Sequence, residues 1–150
     1  MPVIRLTTPI SAPIEVCFDL ARSIDLHLDS MKASGERAVS GVTQGLIGLN
    51  EEVTWEALHF GIRQRLTSRI TSFERPHRFQ DSMVRGAFRR FHHDHLFAHA
   101  AGVTTMTDLF DYESPWGLLG RVANALFLDR YLRRILTDRA AVIRAAAESR

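Results

Sequence analysis

The sequence predicts an α+β domain in which a curved antiparallel sheet of about seven strands closes over one long C-terminal helix. Three observations predict it. From Glu36 to Tyr112 the chain reads as short alternating runs broken by glycine turns. From about Trp116 to Ala147 the apolar spacing changes to a period of 3.6. Hairpin registers counted out from the turns also separate charged residues from apolar ones.

Pro2 to Ile10 alternates weakly through Ile4, Leu6, Thr8 and Ile10 and reads as a first strand. Ser11 is the expected helix cap, with Pro13 in the first turn, where a missing N–H costs nothing. A short helix runs through Ile14, Phe18 and Leu20, and a second covers about Ser23 to Leu28. Gly41, Gly45 and Gly48 punctuate the next connection. Glu51 to His59 and Ile62 to Phe73 flank the turn Phe60-Gly61. Phe79 to Val84 and Arg89 to His99 flank Gly86. Ala101-Gly102 turns the chain into Val103 to Tyr112, and Pro115 ends the sheet. The last helix carries Val122, Leu126, Leu132, Ile135, Leu136, Val142 and Ile143 near one stripe, with arginines on the other side. The order is one strand, two short helices, six strands and a long helix, within one domain over residues 1–150. Only the last helix is long enough to cover the sheet.

The registers sort the faces. Around Phe60-Gly61, pairing sets Glu56 opposite Arg65 and Glu52 opposite Arg69, opposite charges suited to a solvent face. The other face then carries Val53, Trp55, Ala57, His59, Ile62, Gln64, Leu66, Ser68 and Ile70, and a one-residue slip would destroy this separation. Around Ala101-Gly102, Phe97 meets Met106, His95 meets Asp108, His93 meets Phe110 and Phe91 meets Tyr112, all on the inner face. Arg90, His92, Asp94, Thr107, Leu109 and Asp111 fall outside. A three-residue loop around Ala87 sets Met83 beside Phe91, Asp81 beside His93 and Phe79 beside His95.

Composition narrows the class. Hydrophobic residues make up 45% of the 150, enough for a core, and the net charge is +2. Acidic residues interleave with the arginines, so the one-sided basic stripe of a nucleic-acid binder is missing, and no nucleic-acid partner is expected. No run of about 18 apolar residues exists, so no stable membrane insertion is expected. No signal peptide is read at the N-terminus, and a cytoplasmic location is the default. The single cysteine, Cys17, sits among apolar neighbours and reads as a small core hydrophobe. Gly41 to Gly48 lacks the lysine of a phosphate loop, and no Gly-x-Ser-x-Gly occurs.

The run Gly86-Ala87-Phe88-Arg89-Arg90-Phe91-His92-His93-Asp94-His95-Leu96-Phe97 resembles the Gly-x-Phe…His-x-His-x-Phe segment of a bacterial, polyketide cyclase/dehydrase-like branch of the START-like, or SRPBCC, ligand-binding superfamily. Val53 to Ala57 with His59-Phe60-Gly61, Thr105 to Asp108, and Ser114-Pro115-Trp116-Gly117 ahead of a long helix resemble it too. The likeness extends from about Ile10 to the C-terminus. It implies a helix-grip fold with a ligand cavity under the last helix. The superfamily includes lipid carriers, quinone binders, polyketide cyclases and hydroxylase domains. Ala87 departs from the pattern, which commonly has proline there.

His93 and His95 are two apart on one strand, so their side chains point the same way. With Asp108 and Asp81 beside them, three readings stand: a buried hydrogen-bond network, the polar end of a ligand cavity, or catalysis of cyclase or dehydratase type by His93, His95 and Asp108. No metal is expected from His-x-His alone, and no cofactor. The expected ligand contacts are Trp55, His59, Gln64, Leu66, Asp81, Met83, Phe91, His93, His95, Phe97, Met106, Asp108, Phe110 and Tyr112, with Phe127 and Tyr131 closing from the helix. The expected partner is a small hydrophobic molecule such as a lipid, quinone, isoprenoid or polyketide-like compound. Leu126 to Leu132 equally suits a homodimer surface.

Overall fold

The structure is a computed structural model that describes residues 3–114 and 121–150. The expectations that Pro115 ends the sheet and Trp116 opens the last helix lie outside those residues, as does the side chain of Val122. Strand β1 (Val3–Ile10) leads into helices α1 (Ile14–Ala21) and α2 (Ile24–Ser30), followed by a 3-10 turn at Lys32–Ser34. Strands β2 (Arg37–Gly41), β3 (Glu52–His59), β4 (Ile62–Glu74), β5 (Arg78–Arg85), β6 (Arg90–Ala100) and β7 (Val103–Glu113) come next, and α3 (Arg121–Glu148) ends the order.

The expected cap at Ser11 is not formed. Pro13 occupies the cap position with extended backbone and no side-chain cap. The Ser11 N–H instead donates to Glu148 Oε2 at 2.9 Å, tying the start of α1 to the end of α3. At α2 the Ser23 hydroxyl accepts from the Leu26 N–H at 3.2 Å, a regular N-cap, and the helix runs on to Ser30.

All seven strands form one antiparallel sheet in the order β1-β7-β6-β5-β4-β3-β2. The β3–β4 ladder runs from Glu52↔Arg69 to His59↔Ile62, and the β6–β7 ladder from Arg90↔Glu113 to Ala100↔Val103, both in the expected register. Each turns through two residues of positive φ, Phe60-Gly61 and Ala101-Gly102, whose twist suits a tight hairpin. The β5–β6 ladder has the expected register but stops at Ser82↔His92, so Met83 and Phe91 are not a ladder pair. Register shifts in β4–β5, between Thr67 and Ser68 and between Ile70 and Ser72, bend the sheet into a trough. A Cβ at Gly86 would lie 2.4 Å from Leu66 Cδ1, the movable end of that side chain, and 3.3 Å from Leu66 Cα.

On the outer face Glu56 accepts hydrogen bonds from Arg37 at 2.6 Å, Arg65 at 2.9 Å and Arg63 at 3.1 Å. These three guanidiniums hold its carboxyl down to about 2. Glu52 pairs with Arg69 beside it. Ile62, expected inside, is exposed, because the hairpin tip carries it past the end of the trough.

The trough holds two apolar clusters. One gathers Phe18, Cys17 and Ile24 from the short helices with Phe79, Phe97, Met106 and Ile143. The other gathers Phe91, Phe110 and Tyr112 with Leu128, Leu132 and Leu136 of α3. Cys17 is fully buried, and burial pushes its thiol upward. The buried stripe of α3 is Leu128, Leu132, Leu136, Ala140, Ile143 and Ala147. Leu126, expected on this stripe, is 67% exposed, since two residues before Leu128 is the far side of a helix. The segment Leu126 to Leu132 therefore divides: Leu128 and Leu132 face the sheet, and Leu126 and Phe127 face out. Among the described residues no helix is long and apolar enough to cross a membrane.

Candidate functional site

Between the sheet and α3 lies a cavity of about 260 Å³. Its lining is largely apolar, with Trp55, Leu66 and Phe91 from the sheet and Leu128, Ile135 and Leu136 from α3. Helix α2 adds a wall through Ile24 and His27.

Strand alternation delivers the polar end. Asp81 on β5, His93 and His95 on β6 and Asp108 on β7 point inward from three adjacent strands. The backbone register is the expected one, with Asp81 across from His93 and Asp108 across from His95. The hydrogen bonds, however, run along the diagonals. His93 Nε2 donates to Asp108 Oδ1 at 2.8 Å, and His95 Nε2 donates to Asp81 Oδ2 at 2.7 Å. Diagonal neighbours on a sheet lie within reach of long side chains, and a ring nitrogen reaches further than a position directly opposite needs. The two imidazoles stack at 3.8 Å, and His95 stacks on Phe79 at 4.1 Å from its other side. The polar group thus sits at the seam of the two apolar clusters.

A fifth member comes from α3. Arg139 Nη1 lies 3.5 Å from Asp108 Oδ1, and its Nη2 donates to the Ala21 carbonyl at 2.7 Å. His95 Nδ1 lies 3.4 Å from Asp108 Oδ1, an ion-pair separation without hydrogen-bond alignment, and Asp108 Oδ2 has no hydrogen-bond partner among the described residues. Arg139, expected on the solvent side with the other arginines, is buried. It follows Leu136 by three and precedes Ile143 by four, which puts it on the buried stripe, and that spacing was the signal available for it.

The charges follow from these contacts. Burial alone would lower His95, but the carboxylates of Asp108 and Asp81 outweigh it and raise the imidazole above its ordinary range. Burial and the neighbouring His95 charge lower His93, so it stays neutral. Burial would raise Asp81 and Asp108, but their imidazole donors and Arg139 hold both below the usual carboxylate range. Two anions thus face two cations, His95 and Arg139, around a neutral His93.

This arrangement predicts a stability maximum near the unperturbed imidazole pKa of about 6.5. His95, raised in the folded state, gives stability that is full below that value and lost as pH rises through its folded pKa. His93 and His59, both lowered, work from the other side: below about 6.5 the unfolded chain takes up protons there that the folded chain does not, so stability falls with acid. Urea midpoints from pH 5 to 9 check this, and a profile still rising at pH 8 would contradict it.

At the other end of the cavity, His59 Nδ1 and the Tyr131 hydroxyl are hydrogen-bonded at 2.5 Å, joining the β3–β4 hairpin to α3. Burial keeps His59 below and Tyr131 above their ordinary ranges. Phe60 packs on the Tyr131 ring at 4.7 Å and on Phe127 at 5.3 Å.

Ten of the sixteen expected contacts border the cavity: Trp55, His59, Gln64, Leu66, Asp81, Phe91, His93, His95, Phe110 and Tyr131. Six do not. Asp108 lies behind the two histidines. Phe97 and Met106 belong to the cluster under α1, where Phe97 meets Phe18 at 5.4 Å. Tyr112 packs between Phe88 and Phe110. Met83 is half-buried against the second cluster, beyond the point where its strand parts from β6. Phe127 is 59% exposed, one step round the helix from buried Leu128. Sequence reasoning missed Phe88, read as part of a turn, and the α2 wall.

Asp81, His93 and His95 each bring one ligand atom within 4.8 Å of the others. Two nitrogens and an oxygen form a donor set that suits zinc or ferrous iron. Here Asp81 and His95 engage each other instead.

No protein-family model matches the sequence, and no curated protein matches it. Solved structures do. The chain is similar to TTHA0849 from Thermus thermophilus, with 19% identity and a TM-score of 0.74 over 97% of this chain and 99% of that one. It is similar to a START superfamily protein from Mycobacterium smegmatis, with 10% identity and a TM-score of 0.73 over 98% and 97%. Ginseng major latex-like protein 151 from Panax ginseng gives 15% identity and a TM-score of 0.66 over 97% of each chain. With the seven-stranded trough and its covering helix, these likenesses show that the chain has the START-like helix-grip fold.

Proposed function

We propose that this chain binds a small hydrophobic molecule, of the lipid, quinone, isoprenoid or polyketide kind, in the cavity between sheet and α3, for transport or sensing. The observation that carries the reading is an apolar cavity of about 260 Å³ ending at a buried, charge-balanced cluster. Burial of apolar area supplies affinity at about 25 cal/mol per Å², and the cluster orients one polar group.

Native mass spectrometry of freshly purified protein tests for a co-purified small molecule. Ala57, buried on the cavity wall, offers a sharper test. Ala57→Phe projects a ring into the cavity and should weaken binding of the neutral dye Nile red by at least about tenfold, equivalent to about 1.4 kcal/mol. Unchanged dye binding in a folded variant would count against the cavity as the site.

One observation favours a second reading, an acid–base enzyme of cyclase or dehydratase type. His93 is neutral, borders the cavity and has its Nε2–H fixed by Asp108, which is how a general base is oriented. On this reading His93→Gln abolishes turnover of an offered substrate while leaving its binding intact.

A further inference from the structure

We infer that the molecule taken up by this cavity ends in a neutral hydroxyl at its inner end, as an alcohol or phenol, and not in an ionised carboxylate; the inference rests on the binding reading above. Donors and acceptors at the polar end are unevenly committed. Four charged or polar side chains border the cavity there: Asp81, His93, His95 and Arg139. The cations already face anions. His95 Nε2 donates to Asp81 Oδ2 at 2.7 Å, and its Nδ1 faces Asp108 Oδ1 at 3.4 Å. Arg139 is held by the Ala21 carbonyl at 2.7 Å and by Asp108 at 3.5 Å.

Open acceptors remain on Asp81 and His93, beside N–H groups of Arg139 other than the one bonded to Ala21. Asp81 is the most exposed carboxylate of the cluster, 20% against 1% for Asp108. It spends Oδ2 on His95, which leaves Oδ1 to accept. His93 gives its Nε2–H to Asp108, so as a neutral ring it keeps a lone pair on Nδ1.

A hydroxyl donates to such an acceptor without disturbing any existing bond. A carboxylate has no proton to give. It would meet the Asp81 charge among apolar walls and set three carboxylates against the two cations His95 and Arg139. One buried carboxylate is then left without a counter-charge, which low-dielectric surroundings penalise heavily. Apolar walls also screen the clash poorly.

Three probes of one shape test this by calorimetry at pH 7.5: 2-naphthol, 2-naphthoate and unsubstituted naphthalene. The expected result is 2-naphthol binding at least about tenfold tighter than 2-naphthoate, a difference of about 1.4 kcal/mol. Asp81→Asn removes the charge but keeps the shape, and it should bring the two within about threefold. If naphthalene binds and the other two bind alike, or naphthoate binds tighter, the cavity reading survives and this inference falls. A preference for naphthol that persists undiminished in Asp81→Asn also overturns it. If none of the three binds, the binding reading fails and this inference with it. Should Asp81→Asn not fold, the wild-type comparison decides alone.

Discussion

Asp108→Ala should destabilise the fold by about 3–5 kcal/mol, the range for removing one partner from a buried ion network. Asp108 meets three of the other four members of the cluster. It accepts from His93 at 2.8 Å and lies 3.4 Å from His95 and 3.5 Å from Arg139. It is 1% exposed, so water cannot replace it. Its loss leaves the Arg139 guanidinium buried without its carboxylate and removes half the anionic charge that keeps His95 protonated. Asp108→Asn keeps the shape and one acceptor, so it should cost less than the alanine variant yet still lower the His95 pKa. Urea unfolding at pH 7 measures the first effect, and an NMR titration of the histidines measures the second. A loss below about 1 kcal/mol for the alanine variant would show that the cluster reorganises around the gap.

Phe18→Ala should cost about 3–5 kcal/mol for a different reason. The ring is fully buried and edge-packed against Phe73, Phe79 and Phe97 at 5.2–5.4 Å. It is the contact through which α1 grips the sheet. Phe79 in turn stacks on His95 at 4.1 Å, so the void would adjoin the support of the polar cluster. The loss therefore combines transfer free energy, cavity formation and slackened histidine packing. Double mutation with Asp108→Ala should be non-additive, because the two sites share Phe79 and His95 as intermediaries. Additivity within about 0.5 kcal/mol would show that α1 and the cluster are independent.

Much of the sheet was legible because hairpin arithmetic is strict. Once Phe60-Gly61 and Ala101-Gly102 are taken as turns, every pairing in the β3–β4 and β6–β7 ladders follows from the sums of residue numbers, and side-chain direction follows from the pairing. What failed was what lies beyond pairing. The residue directly opposite each histidine follows from the register, but hydrogen bonding chose the diagonal one, since side-chain reach is not set by Cα register. Phe97 and Met106 point inward as expected, yet α1 fills that end of the trough, and sequence alone does not say where a short helix docks. Arg139 was misplaced by treating arginine as a solvent residue, although its position on the stripe said otherwise. Leu126 and Ile62 erred the other way, Leu126 by lying on the far side of α3 from Leu128 and Ile62 by sitting at a hairpin tip past the core. The fold was therefore more readable than the cavity, whose walls come from elements distant in sequence.

The position of β1 has a consequence for how this molecule assembles. Six strands pair with sequence neighbours across short connections, and such local contacts close at little entropic cost. Strand β1 alone must find a partner about a hundred residues away, in β7. Loop-closure entropy therefore favours early zippering of the meander, with the first strand and α1 arriving late. Until they arrive the groove lacks one end wall, and Phe18 and Cys17 are not yet enclosed. An intermediate of that kind would lack the enclosure that the proposed binding calls for, which makes that enclosure a property of the completed topology more than of the wall residues themselves.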